Sequence, residues 1–432
     1  MKKKCVFKFL VIGMVILVTA SCEKSDQVSL DVKNNNTLGS AEQLLSNITD
    51  EVISINITDH TAQVNNALAI KQSLTIEEVF VKNQILINGT RSTRTDLPVA
   101  LDKFMFGSNE QKGTRRPQGV ANFGNYVINS WYFTDNSDWD GNCKLTVTDL
   151  SRKSYFNLVP VQFHGTQVNK FKHIDSHAGG LTVVDHYLYI ASGKSILIFD
   201  LNKIYPITSK PDPTIATDQN FIYEYTYMIP QVGYMSFETA SQANASYISL
   251  TEINSKQYFV VGNFFSRTAD YDNGGKSMIW LLPVIQNLYS FPVIEVNSET
   301  NQYIQIEPLF PSGDEKNKTV TRIQGAVIKD NVLILNRSYT DHETFQLIVM
   351  KYSDILAENP TLLSFFSGTK SNKQSYNNKN WMVGCEDLEF YNNRIWTITE
   401  FVAFNSTTGY FENRSLYSAS YSDIIDLLAP VQ

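Results

Sequence analysis

The chain has 432 residues, 43% hydrophobic and 12% aromatic, with a formal net charge of −7 and a pI near 5.5. That acidity argues against a nucleic-acid partner, which needs a basic face, and the 22 Tyr and 25 Phe mark a folded, strand-forming chain. After the N-terminus no segment approaches the roughly 18 consecutive apolar residues of a membrane span.

Met1-Lys2-Lys3-Lys4 is a positive stretch, and Phe9 to Val18 is a short apolar run. Thr19-Ala20-Ser21-Cys22 then closes with small residues before a cysteine, the secretory pattern. These residues resemble a bacterial lipoprotein signal, with Thr19 where such signals usually carry Leu. Glu23-Lys24-Ser25-Asp26 resembles the stretch that follows the cysteine in surface lipoproteins of the Bacteroidetes type. The resemblance implies a signal peptide over 1–21, lipid on Cys22 and an exported protein held at the outer membrane, facing the cell surface. A plain signal peptide cleaved nearby is the alternative. Cys143 and Cys385 then remain, as one disulfide or as two buried thiols.

Residues 22–39 are polar and free of aromatics, a flexible tether. Over 40–78 the positions of Leu44, Leu45, Ile48, Val52 and Ile53, then Val64, Leu68 and Ile70, predict a small helical segment. From residue 79 to 432 short apolar runs alternate with Asn, Asp, Gly and Ser turns, which predicts an all-β sandwich, barrel or propeller.

Repetition selects among these. "PQGVANFGNYVI", "HAGGLTVVDHYLYI", "IQGAVIKDNVLIL" and "CEDLEFYNNRIWTI" align with Gly119, Gly180, Gly325 and Asp387 in one column. The spacings are 61, 145 and 62 residues, so a degenerate copy belongs near 246, at "ASYISLTEINSKQYFVV". Five units starting near 117, 177, 246, 323 and 384 predict a five-bladed β-propeller of about four strands per blade. Residues 79–116 are expected to add a strand that closes the ring or braces its side.

"RRPQGVANFGNYVINSWYF", "SHAGGLTVVDHYLYIASGKSILIFDL", "IQGAVIKDNVLILNRS" and "VGCEDLEFYNNRIWTITEF" resemble the successive motifs of a family of secreted, uncharacterised proteins of actinobacteria and fungi. The similarity spans roughly residues 116–425 and implies a propeller, with no activity attached.

Residues just before each innermost strand of a propeller face the mouth of its channel. That places Gln118, His177, Ser246 (or Ser249), Gln324, Glu386 and Asp387 in one ring of ligand-binding candidates. Glu400 and Asp135 lie within reach as further acids, and Trp131, Tyr132, Phe133, Trp139, Phe264, Phe265, Tyr271, Trp381, Phe401 and Phe404 as aromatic faces or inter-blade core. His177 is the one titrating side chain where sister repeats carry Gln or Glu. His186 reads as a turn residue, and no second histidine completes a metal site, so neither metal nor cofactor is expected. "DNSDWDGN" and "DNGGKS" read as polar turns rather than calcium or phosphate loops. Two functions follow. One is a surface binding module for a glycan or envelope protein, anchored to the membrane through Cys22. The other is a polysaccharide hydrolase or lyase with His177 and Glu386/Asp387 as acid–base groups. A ring that merely satisfies strand-start backbone groups is the competing structural reading.

Overall fold

A computed structural model describes residues 48–426, except 83–85, 96–99, 113, 135–140, 168, 209, 239–242, 266–276, 287, 297–301, 307–321, 331, 338–345, 353–361, 367–384, 401–402, 406–409 and 413. The signal peptide, Cys22, the tether, Asp135, Trp139, Tyr271, Trp381 and Phe401 lie outside the described residues, as do most of "DNSDWDGN" and "DNGGKS".

The chain folds as a β-propeller. Blade I runs from an inner strand Arg115–Phe123 through Tyr126–Phe133 and Cys143–Asp149 to Ser154–Phe163. Blade II comprises Leu181–Val184, Tyr187–Ser192, Ser195–Asp200 and Tyr227–Phe237. Blade III comprises Tyr247–Ile253, Lys256–Gly262, Ile279–Ile285 and Gln302–Ile306. Blade IV comprises Ile323–Lys329, Val332–Arg337, Gln346–Tyr352 and Leu362–Phe366. Blade V takes Cys385–Tyr391, Arg394–Thr399 and Ser415–Ser420, and then borrows Leu101–Met105 and Thr90–Arg94 from before blade I. The inner strands pack in cyclic order I, II, III, IV, V and back to I. The degenerate copy near 246 is thus the inner strand of blade III.

The core is divided among the seams between sheets. Tyr189 and Val232 of blade II meet Phe259 and Trp280 of blade III. Ile128 of blade I meets Leu188 of blade II. Val260 meets Leu333 across III–IV, Val349 meets Ile395 across IV–V, and Trp396 meets Trp131 across V–I. Burying each of these side chains contributes about 1.5–3 kcal/mol.

The glycine column follows from this packing. A Cβ on Gly180 would sit 2.5 Å from the Ile248 nitrogen and 2.6 Å from the Tyr247 Cα. On Gly325 it would sit 2.4 Å from the Leu388 nitrogen. Each glycine lets its inner strand press directly on the backbone of the next blade, so the strands run parallel around the axis and start at one mouth.

The helical expectation for 40–78 is corrected in its first half. Ile48–Val52 pairs with Gln302–Ile306 at the edge of blade III, and Ile55–Asp59 pairs with Tyr227–Phe237 on blade II. Both blades otherwise expose an unpaired outer strand, and covering that edge outweighs a weak helical periodicity. The propeller sheets therefore recruit residues well before 79. Two short helices do follow, α1 (Thr61–Ala67) and α2 (Ile76–Lys82). The second begins with a capping box, Thr75 Oγ accepting from the Glu78 N–H at 3.2 Å and Glu78 accepting from the Thr75 N–H at 2.8 Å. Cys143 and Cys385 are both buried and are not joined in a disulfide.

Candidate functional site

Because the inner strands start together, their first residues converge on one mouth. Gln118 is buried there, its amide donating to the Pro117 carbonyl at 2.9 Å. Ser246 accepts the Phe264 N–H at 3.0 Å, and Gln324 stands half-buried at a bulge. Ser249 lies deeper and donates to the Ala326 carbonyl at 2.6 Å, joining blade III to blade IV. His177 is exposed and stacks on Tyr132, with ring centroids 4.4 Å apart and planes at 16°.

The dense chemistry lies between blades V and I. Glu386 begins the inner strand of blade V and Glu400 follows the next strand; they are 2% and 7% exposed. The Glu400 carboxyl lies against that of Glu386, whose Oε1 has no hydrogen-bond partner among the described residues. Burial first, then Glu400, holds the Glu386 carboxyl far above the usual carboxylate range. Arg116 Nη1 donates to Glu400 Oε1 at 2.7 Å. The Arg116–Glu400 ion pair thus stands beside Glu386, which keeps its proton. Arg116 also hydrogen-bonds Tyr132, whose hydroxyl is pushed up to about 12 by burial and by Glu400, so it remains neutral. Arg414 braces the loop from below, its Nε donating to the Glu400 carbonyl at 2.8 Å.

Asp387 is placed differently. Its Oδ2 accepts the Leu181 N–H at 2.9 Å and the Val120 N–H at 3.2 Å. Those are the residues that follow Gly180 and Gly119, so one carboxyl ties blade V to blades I and II across the axis. Trp131, expected among the aromatic faces at the mouth, is corrected to core. It is 0% exposed, packed 5.1 Å from Phe106, with Lys144 Nζ 4.9 Å above its ring. The neighbouring Tyr132 is the aromatic that reaches the mouth. His186 sits in its hairpin turn, 3.7 Å from Asp200.

The structure thus brings His177, Tyr132, Glu386 and Glu400 to one mouth and adds Arg116. Arg116 stands two residues before Gln118 in the first repeat, but its pairing with blade V leaves no trace in sequence spacing. No group of three or more His, Cys, Asp or Glu with metal-ligand geometry occurs among the described residues.

No family model matches the sequence, and no curated protein does. Among solved structures the chain is similar to a thermostable family-43 glycoside hydrolase, at 11% identity and TM-score 0.36, over 71% of this chain and 90% of that one. It is also similar to an α-L-arabinofuranosidase from Lactobacillus brevis (12%, TM-score 0.32, 70% and 89%) and a β-1,2-mannobiose phosphorylase from Listeria innocua (9%, TM-score 0.31, 86% and 99%). At such scores the likeness bears on neither substrate nor chemistry.

Proposed function

We propose that the mouth at the start of the inner strands is an acid–base site acting on a polysaccharide, as a hydrolase or lyase. The observation that supports this reading is the buried, protonated Glu386 beside the Arg116–Glu400 ion pair, with an exposed histidine on the same rim. Two-carboxylate glycosidases hold their acid and base about 5–9.5 Å apart to flank the bond they break. Two buried carboxyls that couple to one another act instead as one acid, with Glu386 the protonated member. Glu386 delivers its proton to the glycosidic oxygen, and Arg116 stabilises the charge left behind. His177 is the base: it takes a proton from water in hydrolysis, or from the sugar carbon in elimination. Its stack on Tyr132 offers an aromatic platform beside the acid. Asp387, tied to two backbone N–H groups, is the blade-closing residue in this scheme.

Release of oligosaccharides from a panel of neutral and uronic-acid polysaccharides tests it. The expected result is turnover that drops roughly 10²–10⁴-fold in both Glu386→Gln and His177→Ala while the melting temperature is retained. The exposed His177–Tyr132 stack also favours a second reading, a glycan-binding module; saturable binding without product supports that one and sinks the first. In either role we place the protein outside the cytoplasm, lipid-anchored through Cys22 at the outer membrane. Palmitate labelling lost in Cys22→Ala is the expected outcome.

A further inference from the structure

The inner strands also end together, and the opposite mouth of the channel holds a cavity of about 440 Å³ lined by all five blades. A seven-residue inner strand such as Cys385–Tyr391 separates the two mouths by roughly 20 Å at about 3.3 Å per residue. The volume lies in the range of small-molecule sites, and nothing in the acid–base reading uses this end.

The floor is built from buried polar groups with capacity to spare. Asn122, from blade I, is 6% exposed, and its Nδ2 has no hydrogen-bond partner. Glu389, from blade V, is 5% exposed, and among the described residues it receives only the Thr182 hydroxyl, at 3.3 Å. A buried donor without a partner costs about 1–3 kcal/mol, a cost that persists where a ligand recovers it. Among the described residues no cation faces Glu389, and burial, with Asp387 behind it, keeps the carboxyl protonated.

The walls carry ring faces and already-paired charges. Phe123, Phe390 and Tyr391 are half-buried around the opening. Asp185 accepts the Gln286 amide at 2.6 Å, and Lys329 lies 3.1 Å from Asp330 and over the Phe390 ring. Glu252 is exposed at the rim. An anion finds no free cation on this floor, and a cation meets Lys329 at the rim.

The geometry points to a second ligand site at this mouth, for a neutral polyhydroxylated molecule such as a sugar. Its hydroxyls pair with the Asn122 amide and the Glu389 carboxyl, and one ring face rests on Tyr391 or Phe123. Amide, hydroxyl and carboxylic-acid groups below aromatic edges suit a saccharide that is bound without being cleaved.

Saturation-transfer NMR with glucose, galactose, mannose and arabinose tests this on the full chain. At least one of these sugars is expected to bind wild type and Glu386→Gln alike. Binding is expected to weaken roughly tenfold in Asn122→Leu and Tyr391→Ala, and to survive Glu389→Gln, which keeps a neutral polar group. Tyr391 is half-exposed, so that variant decides the matter if Asn122→Leu fails to fold. Binding of none of the four sugars overturns the proposal. So does binding that Glu386→Gln abolishes and Tyr391→Ala leaves intact, which locates the sugar at the other mouth. Preferential binding of ethylammonium, lost in Glu389→Gln, makes this a cation site and overturns it as well.

Discussion

Replacing Glu386 by Gln removes one titrating proton from a buried pair and changes how stability depends on pH. Glu386 has a folded pKa raised well above its usual 4.5, through burial and the nearness of Glu400. Between that ordinary value and the raised one the unfolded chain has released the proton while the folded chain keeps it. Stability therefore falls as pH rises through the window above about 4.5, by at most about 1.4 kcal/mol per pH unit for one group. Asp387 and Glu389 are raised in the same direction by burial and add to the slope. Half-buried His173, lowered by desolvation, adds an opposite slope up to its ordinary 6.5. Subtracting the variant's profile from wild type cancels all of these and isolates Glu386. Urea unfolding at half-unit steps from pH 5 to 8 is the assay. The difference in unfolding free energy should move in favour of Glu386→Gln by roughly 1.4 kcal/mol per pH unit from pH 5 upward, levelling where the folded group ionises. Parallel profiles, or a wild type that gains relative stability as pH rises, refute the reading of Glu386 as a buried, protonated acid.

Asp387→Ala strands the Leu181 and Val120 N–H groups in the axis, at about 1–3 kcal/mol each, and urea melts should show the sum; Asp387→Asn, which keeps one acceptor oxygen, should lose less. Gly180→Ala forces a methyl to 2.5 Å from the Ile248 nitrogen, where only backbone can yield, so a cost of about 3 kcal/mol or more is expected in the same melts. Lys144→Met leaves buried Glu110 without the ammonium at 2.8 Å and should cost about 3–5 kcal/mol; adding Glu110→Gln should recover part of it in a double-mutant cycle.

The propeller was legible in the sequence because its constraint repeats. Each inner strand must press on the next, so a small residue recurs at 119, 180 and 325, followed by an apolar residue and a turn. The outer edges carry no such repeated demand. Ile48–Val52 and Ile55–Asp59 become strands because blades III and II offer them hydrogen bonds, a tertiary reason that local periodicity cannot express. The mouth was half legible: His177 and Glu386 stood out by differing from their sister repeats. Arg116 did not, because its importance arises where blade V closes against blade I, some 270 residues along the chain.

The exception in the glycine column explains how the ring closes. Four blades meet their neighbours through small residues or direct backbone contact, and blade V brings a carboxyl instead. At the bulge between Cys385 and Leu388 the strand changes register, which frees Glu386 and Asp387 from strict alternation. Glu386 then serves one mouth with Glu400, Asp387 fills the axis and accepts from blades I and II, and Glu389 reaches the cavity at the far mouth. The bulge re-aims adjacent side chains where a regular strand would send them to opposite faces. A strand of seven residues thus places acids at both ends of the channel and the tie between blades in its middle. Burial of all three as neutral groups is the condition that lets them lie so close together. Alkaline pH should therefore loosen the V–I seam first, and amide exchange of Val120 and Leu181 should report that opening before the outer strands respond.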